Sequence, residues 1–384
     1  MLKDICPHDE CTGCMACYNI CAHEAITLLT DNLGFKYPKI NSELCVQCNL
    51  CSKICPQLHP LHFHSPKQCY AGAINNTEIL NCSSGGVASA LSKAIINRNG
   101  LVVGCSGANI RDVHHTIVST EDNLVDLKGS KYVQSRISES LLKNIRKELQ
   151  NGREILFIGT GCQIAGLYNY LNRPYDTLYT IDLVCHGVPS QQMLNDNIDN
   201  YSNIKPESIQ FRHKIKTNGK YSIRFGWFYR DKNSNTLNNR PWHKDPYLSA
   251  FMSSINFRKA CYSCQYAQNK RIGDITIGDF WGLSSDSKLN NSSGVSLILV
   301  NTSRGQQLIG YAKDYLIVEE RTIKEAVDGN PQLQHPSICP RNRAKFEKLY
   351  VTRGLKIASQ KTIMPKMLMH RILTSLKARI ERLI

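Results

Sequence analysis

Short apolar runs alternate with amphipathic segments along the middle of the chain. The runs have the length and composition of strands, and they occupy Leu101–Cys105, Val113–Ser119, Glu154–Gly159 and Leu178–Val184. Helical spacing of apolar residues marks the segments around them, at 86–97, 137–150, 163–171 and 190–201. Alternation of strands and helices at this spacing predicts an α/β layer structure.

The second half has a different pattern, in which strands follow one another. Alternating residues predict strands at Ser208–His213, Tyr221–Tyr229, Ile272–Ile277 and Val295–Asn301. We therefore expect this half to be α+β. Near the start of the chain, residues 25–28 and 35–38 alternate as well, and they predict a hairpin that turns at Asn32–Gly34.

Two cysteine runs near the start of the chain share one spacing, C-x2-C-x2-C-x3-C. They consist of Cys11, Cys14, Cys17 and Cys21, and of Cys45, Cys48, Cys51 and Cys55. Short loops with this spacing wrap iron–sulfur cubanes. A zinc site takes four tetrahedral ligands, usually from two C-x2-C pairs, so the third cysteine of each run has no zinc role. The spacing therefore predicts two 4Fe-4S clusters.

The first 58 residues resemble a bacterial two-cluster ferredoxin. In such units the fourth cysteine of each run ligates the other cluster. The expected ligand sets are Cys11, Cys14, Cys17 and Cys55 for one cluster, and Cys45, Cys48, Cys51 and Cys21 for the other. Pro56 follows the second run, whereas Ala22 follows the first, at a place where proline is common in such ferredoxins.

The formal net charge of +16 overstates how basic the loaded protein would be. Each oxidised cubane with four thiolates carries about −2, so two or three clusters remove roughly 4 to 6 charges. Lys and Arg are dispersed and form no nucleic-acid motif, so we expect no nucleic-acid partner. The cysteine usage, together with the lack of a secretion signal or an apolar stretch of about 18 residues, predicts a cytoplasmic location.

At 384 residues the chain is too long for one ordinary core, and we expect five segments. They are a ferredoxin-like domain (1–60), a Pro-bounded linker (61–68), an α/β half (69–205) and an α+β half (206–350) of the main body, and a basic amphipathic helical tail (351–384). The tail could lie on a membrane surface or dock on a partner, although such helices more commonly pack against their own protein.

Chemistry-bearing residues in the body follow predicted strands or precede predicted helices. Ser83–Gly86 precedes a helix, where backbone N–H groups can bind an anion. Cys162 and Cys185 each follow a strand, where a cysteine can be a nucleophile, a buried bystander or a metal ligand. The pair Cys261-x2-Cys264 would complete four thiolates for a third cubane, and a redox disulfide is the alternative for this pair.

Several separated segments resemble one protein family. They are CSSGG (82–86), GSKYVQS (129–135), GTGCQIAGL (159–167), DLVCHGVPS (182–190), FRHK (211–214), CYSC (261–264) and RIGDITIGDFWG (271–282). In this order they closely resemble the coenzyme F420 hydrogenase/dehydrogenase beta-subunit family, over about residues 69–340. The family's usual loop GTPCQ has Gly161 in place of proline here.

The resemblance implies an FAD-dependent enzyme with a third 4Fe-4S cluster close to the flavin. The residues implied to surround FAD are Ser83, Ser84, Gly85, Gly86, Ser130, Lys131, Tyr132, Gln134 and Ser135. The implied ligands of the third cluster are Cys162, Cys185, Cys261 and Cys264. Lys131, His186 and Asp279 are the candidate catalytic residues, with structural packing as the alternative for His186 and Asp279.

A chain with both cofactors is suited to convert one-electron into two-electron transfer, because cubanes pass single electrons and flavin exchanges one or two. We expect an iron–sulfur flavoprotein oxidoreductase that takes electrons from a ferredoxin or another redox protein. Its acceptor is an unidentified substrate or a carrier such as a deazaflavin. The alternative is an electron-relay subunit that serves a partner oxidoreductase or transferase and has no substrate of its own. We expect the remaining cysteines to be buried or incidental thiols; they are Cys6, Cys69, Cys82, Cys105 and Cys339.

Overall fold

The computed structural model describes residues 2–201, 205, 209–217, 220–289 and 293–363, and it has a mixed α/β fold. The strands are β1 (Leu2–Asp4), β2 (Ile26–Thr30), β3 (Lys36–Asn41), β4 (Gln68–Ile74), β5 (Leu101–Ser106), β6 (His114–Val118), β7 (Ile155–Thr160), β8 (Leu178–Leu183), β9 (Gln210–Thr217), β10 (Lys220–Arg230), β11 (Leu237–Pro241), β12 (Ile275–Asp279), β13 (Ser296–Val300) and β14 (Leu316–Arg321). The helices are α1 (Ala16–Ile20), α2 (Leu50–Lys53), α3 (Val87–Ile96), α4 (Leu141–Gln150), α5 (Gly161–Leu171), α6 (Gln191–Asp199), α7 (Pro246–Met252), α8 (Ser303–Tyr311), α9 (Ile323–Gly329) and α10 (Arg343–Thr362).

An eight-stranded sheet organises the main body, in the order β14-β4-β13-β12-β8-β7-β5-β6. Strands β12, β8, β7 and β5 are parallel neighbours, and the flanking pairs are antiparallel. Apolar cores cover both faces, with α4 and α5 on one side and α3 and α8 on the other. The parallel strands are therefore continuous apolar runs, such as Ile155–Phe157, whose side chains are fully buried. Their carboxyl ends lie at one edge of the sheet, where ligands bind in open α/β folds.

The N-terminal segment forms a small sheet, β1-β3-β2, with two short helices. The predicted hairpin is confirmed, because β2 and β3 pair as antiparallel neighbours. Met15, Ala16 and Ile54 of this segment belong to the same apolar core as α5. The cysteine loops are thus packed directly against the main body.

A second three-stranded sheet, β11-β10-β9, packs with α6, α7 and α10 around the fully buried Trp227. The predicted antiparallel strands at 208–213 and 221–229 correspond to β9 and β10. The strand predicted at Ile272–Ile277 begins later, at Ile275. The residues before it bend because the Arg271 side chain turns inward to bond backbone carbonyls and Gly273 packs against the backbone of Asp182.

The predicted segment boundaries fall within this architecture as follows. The sheet takes strands from both predicted halves of the body, and the predicted linker pairs with the body through His64 and Arg271. The first part of the predicted tail belongs to α10, which is interrupted at Gly354 (φ 76°). The rest of that tail, 364–384, lies outside the described residues. Across the residues that the structure describes, every helix is too short or too polar to span a bilayer.

Candidate redox site

The two N-terminal cysteine loops have the same backbone conformation. Gly13 (φ 71°) and Met15 (φ 62°) flank Cys14, and Gln47 (φ 57°) and Asn49 (φ 59°) occupy the equivalent places around Cys48. Residues other than glycine rarely adopt a positive φ. Its repetition at matching positions indicates that both loops curl around a centre in the same way, each followed by a short helix that carries the third cysteine.

The first cysteine set combines both runs, as the ferredoxin pattern predicts. Burial raises the pKa of Cys17 well above its ordinary value, and nearby thiolates add to this effect. These neighbours include Cys14, Cys11 and Cys55. All four thiols line one cavity, together with Cys6. Cys55 of the second run therefore lies with the first three cysteines of the first run.

The second cysteine set lies nearer the surface. Burial raises the pKa of Cys51, and the thiolates of Cys45 and Cys21 raise it further. Cys48, in the same loop, is exposed. Cys21 of the first run is thus beside the second run, which is the reciprocal half of the crossed arrangement.

The third set gathers cysteines from three parts of the body. Cys162 is in the first turn of α5, 3.1 Å from the hydroxyl of Thr160, and Cys185 follows β8. Burial raises the pKa of Cys185 well above its ordinary value, and the thiolates of its neighbours contribute. The neighbours are Cys261, Cys162 and Cys264. The structure thus brings together four thiols from three distant parts of the sequence.

The donor chemistry of the three sets fits 4Fe-4S clusters. Each set has four cysteine thiols, the soft ligands that iron–sulfur clusters take. In the described part of the chain, no three His, Cys, Asp or Glu side chains approach closely enough to hold a single metal ion. A cubane instead places one thiolate on each of four irons, so its ligands stand further apart.

The first and third sets meet across helix α5. Gly166 on this helix faces Cys14, and a Cβ at Gly166 would lie 2.9 Å from Cys14 Cβ and 3.0 Å from its Sγ. Only glycine lets the helix approach this closely. Burial raises the pKa of Cys14 to about 12, and the Cys162 thiolate is among the charges that raise it. The thiolates of the first and third sets are therefore close enough to interact electrostatically.

The two predicted flavin segments meet at one point. The Ser130 backbone N–H donates to the Ser83 hydroxyl at 2.7 Å, and Ser84 donates its hydroxyl to the Val295 carbonyl at 3.0 Å. Gly86 (φ 84°) begins α3. A Cβ at Gly85 would lie 2.3 Å from the Gly72 carbonyl oxygen, so close packing on the sheet already requires this glycine.

The rest of the second segment faces other parts of the protein. The Lys131 ammonium donates to three backbone carbonyls at 2.7 to 3.3 Å, and burial lowers the pKa of this side chain. The Tyr132 ring stacks on a phenylalanine. Gln134 donates to the Thr12 carbonyl in the first cysteine loop, at 2.9 Å. Ser135 is bonded to the buried His115, with 2.7 Å between its Oγ and the ring Nδ1.

His186 and Asp279 lie on adjacent parts of the carboxyl edge of the sheet, next to Arg212. Arg212 donates to both oxygens of Asp279, at 3.1 and 2.6 Å, and only 6% of its side chain is exposed. Burial lowers the pKa of His186, while Asp279 raises it and Arg212 lowers it. Arg212 and Lys214 were not predicted as site residues, although both are in the FRHK segment that carries the family resemblance.

Comparisons with known proteins place two parts of the chain. Residues 152–326 match the family model for the C terminus of the coenzyme F420 hydrogenase/dehydrogenase beta subunit. Residues 10–58 match the model for a 4Fe-4S dicluster domain.

Two individual proteins are also similar. An uncharacterised polyferredoxin-like protein of Methanocaldococcus jannaschii is 38% identical over 66 residues, which are 14% of this chain and 39% of that relative. The chain therefore spans well under half of the length of this curated relative. A structure of the F420-reducing NiFe hydrogenase complex from Methanosarcina barkeri aligns with a TM-score of 0.46 and 18% identity, over 70% of this chain and 91% of that one.

Proposed function

We propose that the chain is an iron–sulfur flavoprotein oxidoreductase, because it belongs to the coenzyme F420 hydrogenase/dehydrogenase beta-subunit family and carries a 4Fe-4S dicluster domain. The dicluster domain makes it an iron–sulfur protein, and the beta-subunit family is a family of oxidoreductases. The finer proposal adds a third 4Fe-4S cluster, FAD and a small acceptor such as a deazaflavin. When bound, the clusters would pass single electrons and FAD would exchange one or two.

The packing of Cys14 against the helix that carries Cys162 in its first turn is the observation that carries the proposal. Gly166 lets the helix that carries Cys162 pack directly against Cys14, so a single helix connects the first cysteine set with the third. The second set is beyond the first and has an exposed member, Cys48. The three sets thus form a series from the surface to the carboxyl edge of the sheet, as a protein that moves electrons inward would need.

The carboxyl edge supplies groups suited to an acceptor that gains protons. His186 has an imidazole that can accept or relay a proton, and burial lowers its pKa. The ion pair with Arg212 fixes both carboxylate oxygens of Asp279. We assign proton handling to His186 and acceptor binding to the Arg212–Asp279 pair.

The flavin would be held where Ser83–Gly86 meets Ser130. The amino terminus of α3 begins there and its backbone N–H groups favour an anion such as a pyrophosphate. The half-buried Lys131 adds a positive charge next to this segment, held in place by its three carbonyl partners.

Cofactor analysis of the anaerobically purified chain tests the proposal. We expect about twelve iron atoms and one FAD per chain, for three clusters and a flavin. Cys162→Ser or Cys264→Ser should each remove about four iron atoms, because each deletes a ligand of the third set only. Cys339→Ser, at an exposed cysteine, is the matched control and should leave the iron content unchanged.

Other results would overturn parts of the proposal. About eight iron atoms without flavin would leave a dicluster protein and remove Cys162, Cys185, Cys261 and Cys264 from the ligand sets. If the loaded chain accepts electrons from a reduced ferredoxin but reduces no deazaflavin or other small acceptor, it is instead a relay for a partner oxidoreductase or transferase.

A further inference from the structure

Arg258 is a buried positive charge that has no carboxylate partner among the described residues. It is 1% exposed, which makes it one of the most deeply buried large side chains. Among the described residues, no Asp or Glu forms an ion pair with it, whereas the equally buried Arg271 pairs with Asp182. A buried charge is costly unless an opposite charge compensates it. A negative charge close to Arg258 would therefore stabilise its guanidinium.

The guanidinium is in the first cysteine loop, although it belongs to the main body. Its Nε donates to the Cys11 carbonyl at 2.6 Å and its Nη2 lies 3.6 Å from Cys11 Sγ. Nη2 also donates to the Lys36 carbonyl at 3.0 Å, and Nη1 donates to Gln134 Oε1 at 3.1 Å. The space for the side chain exists because Gly13 has no Cβ; one there would lie 3.1 Å from Nη1.

The same residue is tied to the third cysteine set through its backbone. The Cys261 N–H donates to the Arg258 carbonyl at 2.9 Å, and the Arg258 N–H donates to the Val188 carbonyl, also at 2.9 Å. Val188 is three residues after Cys185. The Arg258 side chain thus bonds the loop of the first set, while its main chain bonds Cys261 of the third set.

We propose that Arg258 is the counter-charge of the cluster held by Cys11, Cys14, Cys17 and Cys55, and that it raises the reduction potential of that cluster. Reduction adds one electron and hence one negative charge to a cluster. A fixed cation within hydrogen-bond distance of a ligand sulfur stabilises the more negative state. The inference rests on the proposed ligand assignment of this set.

Redox titration of the anaerobic full-length holoprotein, followed by EPR, tests the inference. In Arg258→Gln one cluster should become harder to reduce, with its midpoint shifted to more negative potential. Arg258→Lys keeps a charge without the planar fork, so its shift should be smaller. The matched control is Lys259→Gln, which removes the neighbouring charge at a side chain that is 60% exposed and pairs with Asp9. Solvent screening should leave every potential unchanged in this control.

A second variant keeps the test decisive if Arg258→Gln loses iron. Gln134→Glu is nearly isosteric and places a carboxylate on Nη1, so it neutralises the guanidinium while the bonds of Arg258 to the Cys11 and Lys36 carbonyls remain. It also removes the bond that Gln134 donates to the Thr12 carbonyl, so its iron content is measured alongside its potentials. The same cluster should again shift to more negative potential. Wild-type potentials in Gln134→Glu or Arg258→Gln with full iron content would overturn the inference. Absence of iron from the wild-type chain would instead overturn the ligand assignment on which it rests.

Discussion

The ammonium of Lys214 shows how a single buried charge can shape the proposed flavin site. It donates to the carbonyls of Ser84, at 2.7 Å, and of Ile79, and so it fixes both ends of the segment that leads into α3. Burial lowers the pKa of Lys214 to about 8. This loss of basicity reflects the cost of holding the charge inside the protein, and the two carbonyls offset part of that cost.

Replacing Lys214 with methionine should loosen this segment. Lys214→Met keeps the volume of the side chain but removes two charge-assisted hydrogen bonds, so we expect a loss of about 2 kcal/mol in the free energy of unfolding. We also expect several-fold less bound FAD. Urea unfolding and the flavin-to-protein ratio measure the two effects. Lys216→Met, at an exposed position on the same strand, is the control. Equal flavin content in both variants would argue against this position of the flavin.

His115 should make stability depend on pH. Burial lowers its pKa to about 4, and its ring nitrogens contact the Ser135 hydroxyl and the Ile158 carbonyl. Between pH 6.5 and about 4 the unfolded chain therefore binds more protons than the folded one. Stability is complete above this window and falls as the pH drops through it, by up to about 1.4 kcal/mol per pH unit.

Unfolding curves of the holoprotein at about pH 7 and pH 5 test the role of His115. Both are recorded under conditions in which the holoprotein keeps its iron. Because the window reached is about 1.5 pH units, His115 should account for a loss of about 2 kcal/mol. In His115→Gln this part of the pH dependence should disappear, whatever the stability at pH 7. His335→Gln, at an exposed histidine, should retain it. An unchanged slope in His115→Gln would mean that the imidazole titrates normally.

At the scale of elements, helix α5 has two functions in one length of chain. Its first turn carries Cys162 and its middle carries Gly166, whose missing side chain admits Cys14. Thr160 and Gln163 form a capping box at its start, so the end that carries the cysteine is well fixed. The helix therefore defines the separation between the first and third cysteine sets.

Gly166→Ala should disturb that separation. The new Cβ would lie 2.9 Å from Cys14 Cβ, and the helix or the cysteine loop must move. We expect a destabilisation of about 1–3 kcal/mol and partial loss of iron. Gly310→Ala in α8 is the matched control, because nothing lies within 4 Å of a Cβ there. It should stabilise the protein by up to about 1 kcal/mol, since alanine is the better helix former. Full iron content in Gly166→Ala would show that the contact is dispensable.

The same elements show what the sequence could predict. Strand β7 was predicted within one residue because Ile155–Phe157 is a continuous apolar run. Strand β4 was not predicted, because its centre, Ala71-Gly72-Ala73, consists of small residues with no strand pattern. It is a strand because it pairs with β13 along one edge and with β14 along the other. Spacing indicated the cysteine sets of the N-terminal unit, since the loop geometry is local. The contacts of Arg212 with Asp279 and of Arg258 with Cys11 join residues 67 and 247 positions apart, and local patterns carry no signal for them.

At the scale of the whole molecule, the second cysteine set has an exposed member, Cys48, and an apolar rim lies beside it. Leu44, Val46 and Leu50 are 53%, 56% and 45% exposed, and they surround the loop that carries Cys45 and Cys48. Exposed apolar residues beside a redox centre are suited to a short-lived contact with another protein. On the proposed function, a ferredoxin-type donor would approach here, because α5 packs against Cys14 of the first set and Arg258 against Cys11.

Val46→Glu should slow electron transfer from an acidic ferredoxin several-fold, because it adds a like charge and removes apolar area at the contact. Stopped-flow reduction of the holoprotein measures the rate, and dithionite, a small reductant, should reduce both proteins equally fast. Val351→Glu introduces the same charge at a side chain that is 54% exposed on α10, far along the chain from the cysteine loops. If both variants slow the ferredoxin reaction alike, net charge governs the encounter. If only Val46→Glu does, electrons enter at the loop that carries Cys48, and the order of the sets from surface to carboxyl edge is also the direction of transfer.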